Sequence, residues 1–169
     1  MSDTSPATLP DAAAGMAGQP ERLHVSWADL ETLVEQLAGE IDDDFDCLLA
    51  ITRGGLVPTG MLAYRLGIRN ILVAAVAFYD NEGQPGPEPS FLEFPADPVL
   101  HGRRILVVDE VWDTGTTIAA VVERIRLAGG DPTTAVLHYK PARSRVDLVP
   151  DHHAVTTDAW VVYPFKYGR

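Results

Sequence analysis

The chain has 169 residues, a length that suits one domain with a single core. Apolar residues make up 46% of the chain and charged residues 22%, a balance typical of a folded α/β protein and not of a disordered or fibrous chain. With 13 Lys and Arg against 24 Asp and Glu, the formal charge is −11, so we expect neither nucleic acid nor an anionic membrane as a partner.

The single cysteine, Cys47, excludes an internal disulfide and any multi-cysteine metal site. This cysteine usage predicts a reducing, cytoplasmic location. No apolar stretch approaches the roughly 20 residues that cross a bilayer. The N-terminus lacks the basic and apolar regions of a signal peptide, and we expect no membrane association.

The first part of the chain predicts a tail followed by a folded domain. Residues 1–20 are mostly Ala, Gly, Pro, Ser and Thr without apolar periodicity, so we expect a disordered tail and a domain over residues 21–169. Ser26 and Asp29 form a capping-box start for a helix whose apolar positions continue to Ile41.

Strands and helices then alternate along the chain. Helical spacing predicts two further helices, Leu56–Leu66 and Thr116–Leu127. Strands are expected at 23–25, Cys47–Ile51, 71–78, 105–108 and 134–138, with short edge strands in a C-terminal cap around 154–155 and Trp160–Val162. Residues 80–101, rich in proline, are expected to form one long functional loop. The alternation predicts an α/β fold with a mostly parallel sheet flanked by helices, which binds ligands at the carboxyl ends of its strands.

The most informative segment is 105–117, a buried strand that ends in Asp109 and Glu110 and continues into a turn rich in hydroxyl groups. The backbone amides of Thr114, Gly115, Thr116 and Thr117 would lie at a helix N-terminus, where they can hold a phosphate monoester without a lysine. The acidic pair can accept hydrogen bonds from vicinal sugar hydroxyls, directly or through a metal ion. The alternative is that Asp113 or Thr114 only caps the helix and the acidic pair is a solvated strand end.

This segment resembles the signature of the type I phosphoribosyltransferases: an apolar strand, two acidic residues, two apolar residues and Asp-Thr-Gly-x-Thr. The resemblance implies that Asp109 and Glu110 bind the ribose hydroxyls of phosphoribosyl pyrophosphate (PRPP) with Mg²⁺ nearby. It also implies that Thr114 to Thr117 hold the 5-phosphate and that Asp113 is the catalytic residue under the attacking base. The family fold adds a small hood built from the chain ends, and we expect a homo-oligomer.

A second segment, 51–58, is similar to the pyrophosphate loop of the purine-salvage members of this family. Gly54 and Gly55 would let the backbone approach a diphosphate closely, and Arg53 would supply positive charge. In those relatives the peptide at this Arg-Gly position is cis. The alternative is an ordinary turn between a strand and a helix.

Two further residues indicate which nucleobase accepts the phosphoribosyl group. Lys140 follows the strand at 134–138, and Trp160 lies twenty residues later; both resemble the xanthine-guanine and archaeal-type 6-oxopurine enzymes. The resemblance implies that Lys140 donates to the purine 6-oxygen, that Trp160 stacks on the ring, and that Val111 and Val161 complete the base site. An ammonium favours a carbonyl over an exocyclic amine, which disfavours adenine. The alternative is that Trp160 belongs to the core and Lys140 is a solvated strand end.

The sequence departs from the family pattern in three places. The acidic pair is Asp-Glu and not Asp-Asp, residues 80–100 contain no Lys or Arg, and residues 161–169 contain no carboxylate but end in the basic residues Lys166 and Arg169. We expect a phosphoribosyltransferase that uses PRPP and a 6-oxopurine. The alternatives are a non-catalytic PRPP-binding regulator and an enzyme for adenine or a pyrimidine.

Overall fold

The computed structural model describes residues 21–79, 86 and 88–166. The predicted tail at 1–20 lies outside these residues, as do 80–85 and 87 within the predicted loop. The described strands are β1 Arg22–His24, β2 Cys47–Ile51, β3 Ile71–Tyr79, β4 Glu88–Glu93, β5 Arg104–Trp112, β6 Asp131–Tyr139, β7 His152–Thr156 and β8 Trp160–Val162. The helices are α1 Trp27–Gly39, α2 Leu56–Leu66, α3 Asp97–Leu100 and α4 Thr116–Leu127, with a 3₁₀ turn at Pro141–Arg143.

Six strands form the central sheet in the order β4-β3-β2-β5-β6-β7. Among the described strands of this sheet, only β4 is antiparallel to its neighbour, so the predicted, mostly parallel sheet is confirmed. From β2 the chain moves outward through α2 to β3, whereas from β5 it moves through α4 to β6 on the other side. The boundary between β2 and β5 is therefore the topological switch point, where open α/β sheets form their ligand crevices.

Helices cover the two faces of this sheet. Alternate residues of β5 point to opposite faces, as the two-residue period of a strand requires. Leu106 and Val108 pack in the cluster that contains the apolar face of α1, whereas Ile105 and Val107 pack in the cluster with α4. The predicted capping box at Ser26 and Asp29 is present and fixes the start of α1. Among the described helices, none is long and apolar enough to cross a membrane.

The predicted hood is present, but it is smaller than expected. It consists of β1 and β8, which pair in parallel with Leu23 opposite Val161. The expectation that residues 154–155 belong to the same cap is wrong, because β7 pairs with β6 at the edge of the central sheet. The β7 sequence, His-His-Ala-Val-Thr, has no strong apolar alternation, and its side chains are at most half-buried. The sequence pattern therefore gave no signal for a strand of the central sheet.

The prediction of one long loop over 80–101 is also wrong in part. Within it, β4 pairs with β3 as an antiparallel edge strand, and α3 follows. Most β4 side chains are exposed, and the half-buried Phe91 is the one that packs against the core, so backbone hydrogen bonds to β3 are the main interactions that hold the strand. Pro89 fits there because an edge strand has one side without ladder hydrogen bonds.

Candidate active site

Two loops meet at the switch point between β2 and β5. The loop after β2 contains a cis peptide between Thr52 and Arg53, immediately before the Arg-Gly pair. Gly54 in this loop lies directly against the Glu110 side chain, and a Cβ atom at Gly54 would overlap the Glu110 carboxylate. A larger residue at 54 would have to displace that flexible side chain, whereas at Gly55 a Cβ atom would lie 2.5 Å from the Val108 carbonyl oxygen and 2.6 Å from the Ile51 carbonyl oxygen. The close approach of the loop to β5 therefore requires glycine most strictly at position 55.

Glu110 is held on several sides. Its side chain is buried, and Lys166 Nζ lies 2.6 Å from Oε1. Burial alone would raise the pKa of Glu110, but the hydrogen bonds with Asp109 and Lys166 outweigh it and lower that pKa. The group is therefore a carboxylate that already has a cationic partner, a contact that the sequence did not predict.

Asp109 has the opposite electrostatic character. Burial and the adjacent Glu110 raise the pKa of Asp109 well above its ordinary value. Its Oδ1 accepts a hydrogen bond of 2.8 Å from the Glu110 amide. The two neighbouring carboxyls thus differ in their readiness to ionise, and a cation or hydroxyl donor at Asp109 would favour its charged form.

A small cavity of about 80 Å³ opens beside Asp109 at the N-terminus of α4. Its lining residues come from the predicted phosphate turn and the end of β5: Asp109, Val111, Asp113, Thr114, Gly115, Thr117 and Ile118. The N-cap of α4 is Gly115, and no side chain accepts a hydrogen bond there. Neither Asp113 nor Thr114 caps the helix, so its first amides remain available to an anion.

The turn itself is fixed by Gly115, which has a φ of +78°. A Cβ atom there would overlap the Trp112 indole, and Trp112 is buried. The indole Nε1 donates to Ser144 Oγ at 3.3 Å. Trp112 is therefore a packing residue that supports the turn. Within the turn, the hydroxyl oxygens of Thr114 and Thr116 lie 2.9 Å apart, at hydrogen-bond distance.

Asp113, the predicted catalytic residue, lines the cavity and forms an ion pair with Arg143 Nε. Arg143 lies in the 3₁₀ turn that follows Lys140, and sequence reasoning did not single it out. The Asp113 side chain keeps 32% of its surface exposed, so it faces solvent as well as its arginine partner.

On the other side of the site, Lys140 is buried at 3% exposure and Trp160 is 50% exposed. The Lys140 Nζ lies 5.6 Å from the centroid of the Trp160 ring, a cation–π distance. This arrangement is the reverse of the alternative interpretation, in which Trp160 would be buried and Lys140 solvated. Val161 is buried in the core next to them, and Val111 is half-buried on β5.

A chain of hydrogen bonds joins the hood to the acidic pair. Tyr163 donates its hydroxyl to the Glu110 carbonyl oxygen at 2.6 Å, and His138 Nδ1 lies 2.7 Å from the same hydroxyl. Since the tyrosine proton is used on the carbonyl, Nδ1 of His138 must be the donor in the second bond. Burial, with the Lys140 charge, lowers the pKa of His138 to about 4, so this imidazole is neutral at pH 7.

The depressed pKa of His138 predicts an acid-dependent loss of stability. The unfolded chain takes up a proton near pH 6.5 and the folded protein only near pH 4, so the contribution is complete above pH 6.5 and is lost as the pH falls towards 4. We expect the difference in free energy of unfolding between the parent and His138→Gln to fall by about 3 kcal/mol from pH 7 to pH 4. Urea unfolding at several pH values measures it, and a constant difference would contradict the assignment.

The comparisons with known proteins agree with this geometry. The family model "Phosphoribosyl transferase domain" matches residues 24–168. Xanthine-guanine phosphoribosyltransferase from Chromohalobacter salexigens is 30% identical over 150 residues, which cover 88% of this chain and 86% of that protein.

Two solved structures share the fold over most of their length. The purine phosphoribosyltransferase from Pyrococcus horikoshii superimposes with a TM-score of 0.75 and 27% identity, covering 88% of this chain and 96% of that one. A Neisseria gonorrhoeae protein with bound ppGpp gives a TM-score of 0.76 and 30% identity, covering 88% and 91%. The match over residues 24–168 shows that this protein belongs to the phosphoribosyltransferase family.

Proposed function

We propose that the protein transfers the 5-phosphoribosyl group of PRPP to N9 of a 6-oxopurine and releases diphosphate. The observation that carries this proposal is the pairing of a buried ammonium, Lys140, with a half-exposed indole, Trp160. The indole supplies a flat apolar surface for a heterocycle, and the ammonium supplies a donor that prefers a carbonyl oxygen.

PRPP would bind across the switch point. The open N-terminus of α4, with Thr114, Gly115, Thr116 and Thr117, suits the 5-phosphate. Asp109 and Glu110 would accept hydrogen bonds from the ribose hydroxyls. Arg53 and the backbone at Gly54 would face the diphosphate.

The base would lie between Trp160 and Asp113. Lys140 would donate to the 6-oxygen, and the Val161 backbone would receive the 2-amino group of guanine. Val111 adds apolar contact at the floor of the site. The xanthine-guanine specificity of the Chromohalobacter relative and the guanine nucleotide ppGpp in the Neisseria protein support a 6-oxopurine here.

In the reaction, the bond between ribose C1 and the diphosphate oxygen breaks while purine N9 attacks C1 through an oxocarbenium-like transition state. The electron pair leaves with diphosphate. Asp113 would accept or share the proton at purine N7, a general-base contribution. Arg53 and the loop amides would stabilise the negative charge that develops on the leaving group, which we expect to be the larger effect.

The residues present fit a magnesium ion that arrives with the substrate. Among the residues that the structure describes, no group of three or more His, Cys, Asp or Glu could hold a metal by itself. Asp109 and Glu110 nevertheless offer carboxylate oxygens, and Mg²⁺ commonly binds one or two carboxylates together with waters and substrate phosphates. Asp109 and Glu110 would hold the ion, which when bound supplies positive charge beside the diphosphate.

The direct test is diphosphate release from PRPP and Mg²⁺ in the presence of guanine, xanthine, hypoxanthine, adenine or a pyrimidine. We expect release with 6-oxopurines only. Release with adenine or a pyrimidine would replace the proposed base, and PRPP binding without release from any base would favour a non-catalytic regulator. The homo-oligomer and the cytoplasmic location also remain predictions, testable by light scattering and by cell fractionation.

The acidic pair provides an independent test of the PRPP site. Replacing Asp109 by Asn and Glu110 by Gln removes two ionisable carboxyl groups but keeps similar side-chain shapes and leaves an amide oxygen as acceptor at each position. We expect the double variant to bind PRPP at least about tenfold more weakly and to lose the Mg²⁺ dependence of that binding. Isothermal titration calorimetry measures both, and unchanged affinity in the double variant would refute the assignment.

A further inference from the structure

Lys166 follows the hood strand and lies at the diphosphate loop. Its Nζ is 2.6 Å from Glu110 Oε1, and the same carboxylate packs against the backbone of Gly54. The ammonium is therefore separated from the Arg53-Gly54 loop by a single carboxylate group.

The position of Lys166 is fixed by more than this ion pair. Its amide donates to the Tyr163 carbonyl oxygen at 3.1 Å, and its Nζ lies 5.3 Å from the centroid of the Tyr163 ring. Tyr163 is anchored in turn by its hydrogen bond to the Glu110 carbonyl. The backbone hydrogen bond therefore fixes where Lys166 lies in the chain, and the Tyr163 ring and Glu110 hold its ammonium near the loop.

The contacts with Glu110 and Tyr163 leave part of the Lys166 side chain accessible to solvent. The Lys166 side chain is 47% exposed, whereas the Glu110 side chain is only 9% exposed. A lysine ammonium has three donors, and Glu110 Oε1 accounts for one of them. An anion at the loop could be reached from the exposed face without breaking the contact with Glu110.

The charge balance around the loop favours a cation at this position. Diphosphate carries several negative charges, and the segment 80–100 contains five acidic residues but no Lys or Arg to offset them. Arg143 pairs with Asp113, Lys140 contacts the Trp160 ring, and Arg145 lies at the phosphate turn, where its amide donates to the Thr114 carbonyl oxygen. Arg53 is in the loop itself, and Lys166 is the second cation that the contacts place there.

We propose that Lys166 binds the diphosphate group of PRPP and of the released product. This residue, which follows β8, would supply the positive charge that the segment 80–100 lacks. This assignment rests on the proposed function for the identity of the ligand. Its chemistry is a charge-assisted hydrogen bond from an ammonium that Glu110 and Tyr163 hold in place.

The test compares Lys166→Met, Lys166→Arg and the parent for binding of two probes in the presence of Mg²⁺: inorganic diphosphate and guanosine 5′-monophosphate. We expect Lys166→Met to weaken diphosphate binding about tenfold, with Lys166→Arg restoring most of it. Binding of the monophosphate, which has no diphosphate group, should change less than about twofold. Unchanged diphosphate affinity, or an equal loss for both probes, would overturn the proposal.

A matched control removes the same charge elsewhere. Arg65 pairs with Glu31 and Glu35 between α1 and α2, and Arg65→Met lowers the net charge by the same amount. We expect this variant to bind diphosphate like the parent. A loss equal to that of Lys166→Met would attribute the effect to overall charge and overturn the proposal.

A double-mutant cycle separates direct binding from neutralisation of Glu110. If Lys166 only neutralises Glu110, Lys166→Met should have no effect when introduced together with Glu110→Gln. If Lys166 contacts diphosphate, the double variant should bind it about tenfold more weakly than Glu110→Gln alone. Far-UV circular dichroism checks that all variants are folded.

The same measurements distinguish this proposal from the proposed function. A parent protein that binds diphosphate through Lys166 but releases none from PRPP with any base would refute the enzymatic proposal and support the binding one. If the parent turns over PRPP with a 6-oxopurine but Lys166→Met leaves the affinity for diphosphate unchanged, the enzymatic proposal stands and the assignment of Lys166 is refuted.

Discussion

Replacement of Lys140 by methionine is expected to reduce kcat/KM for guanine, xanthine and hypoxanthine by about 100-fold or more. The purine 6-oxygen would lose its donor and face an apolar group instead. Lys140 is only 3% exposed, so methionine removes a buried charge but retains much of the side-chain volume. Among the described residues Lys140 has no ion-pair partner, so methionine leaves no opposite charge buried and unpaired. The loss should therefore appear in activity and not in thermal stability.

Trp160→Ala is the matched comparison for Lys140→Met. It removes the stacking surface but no donor, so we expect a loss of about tenfold for every purine with the order of preference among bases unchanged. Steady-state kinetics with the four purines distinguish the two variants. Adenine used as fast as guanine by the parent, or a Lys140→Met variant with unaltered base preference, would contradict the 6-oxopurine assignment and leave the phosphoribosyl site untouched.

The elements with strong apolar patterns could be predicted from the sequence almost to the residue. The bounds of β2, α2 and α4 agree with the patterns at Cys47–Ile51, Leu56–Leu66 and Thr116–Leu127. The two helices each bury a regular apolar face, β2 is an apolar run buried on both faces, and all three elements end at glycine or a polar turn. The exposed side chains of β4 and the half-buried ones of β7 give no such signal. Both strands are defined by backbone pairing to a neighbour, which the sequence of the segment alone does not reveal.

The candidate site was predictable as a set of segments but not as a set of contacts. The signature at 109–117 and the loop at 52–55 identified two chain segments, and the switch point brings them together. The ion pairs of Asp113 with Arg143 and of Glu110 with Lys166 join residues 30 and more positions apart in the sequence. Such pairs depend on where the 3₁₀ turn and the hood place a side chain, and no local pattern encodes that position. The sequence shows a lysine at 166, in a segment where family members often have a carboxylate, but it does not show that this lysine pairs with Glu110.

Asp113→Asn is expected to lower kcat by about 100-fold while PRPP binding changes less than about threefold. Asparagine keeps the size of the side chain and can still accept a hydrogen bond from Arg143 through its amide oxygen. It cannot accept the purine N7 proton. The loss should therefore fall on the chemical step, and it should appear in single-turnover measurements as well as in steady-state kcat.

Arg143→Gln separates proton transfer from the ion pair. This variant removes the partner of Asp113 but leaves a carboxylate in the site, so we expect it to lose less than about tenfold in kcat if the carboxylate acts as the base. The alternative role for Asp113 is to hold Arg143 and the 3₁₀ turn in place, and both variants would then lose activity equally and fall together in thermal stability. Activity of Asp113→Asn within threefold of the parent would exclude proton transfer by this residue, because loss of an essential base cannot leave the chemical step unchanged.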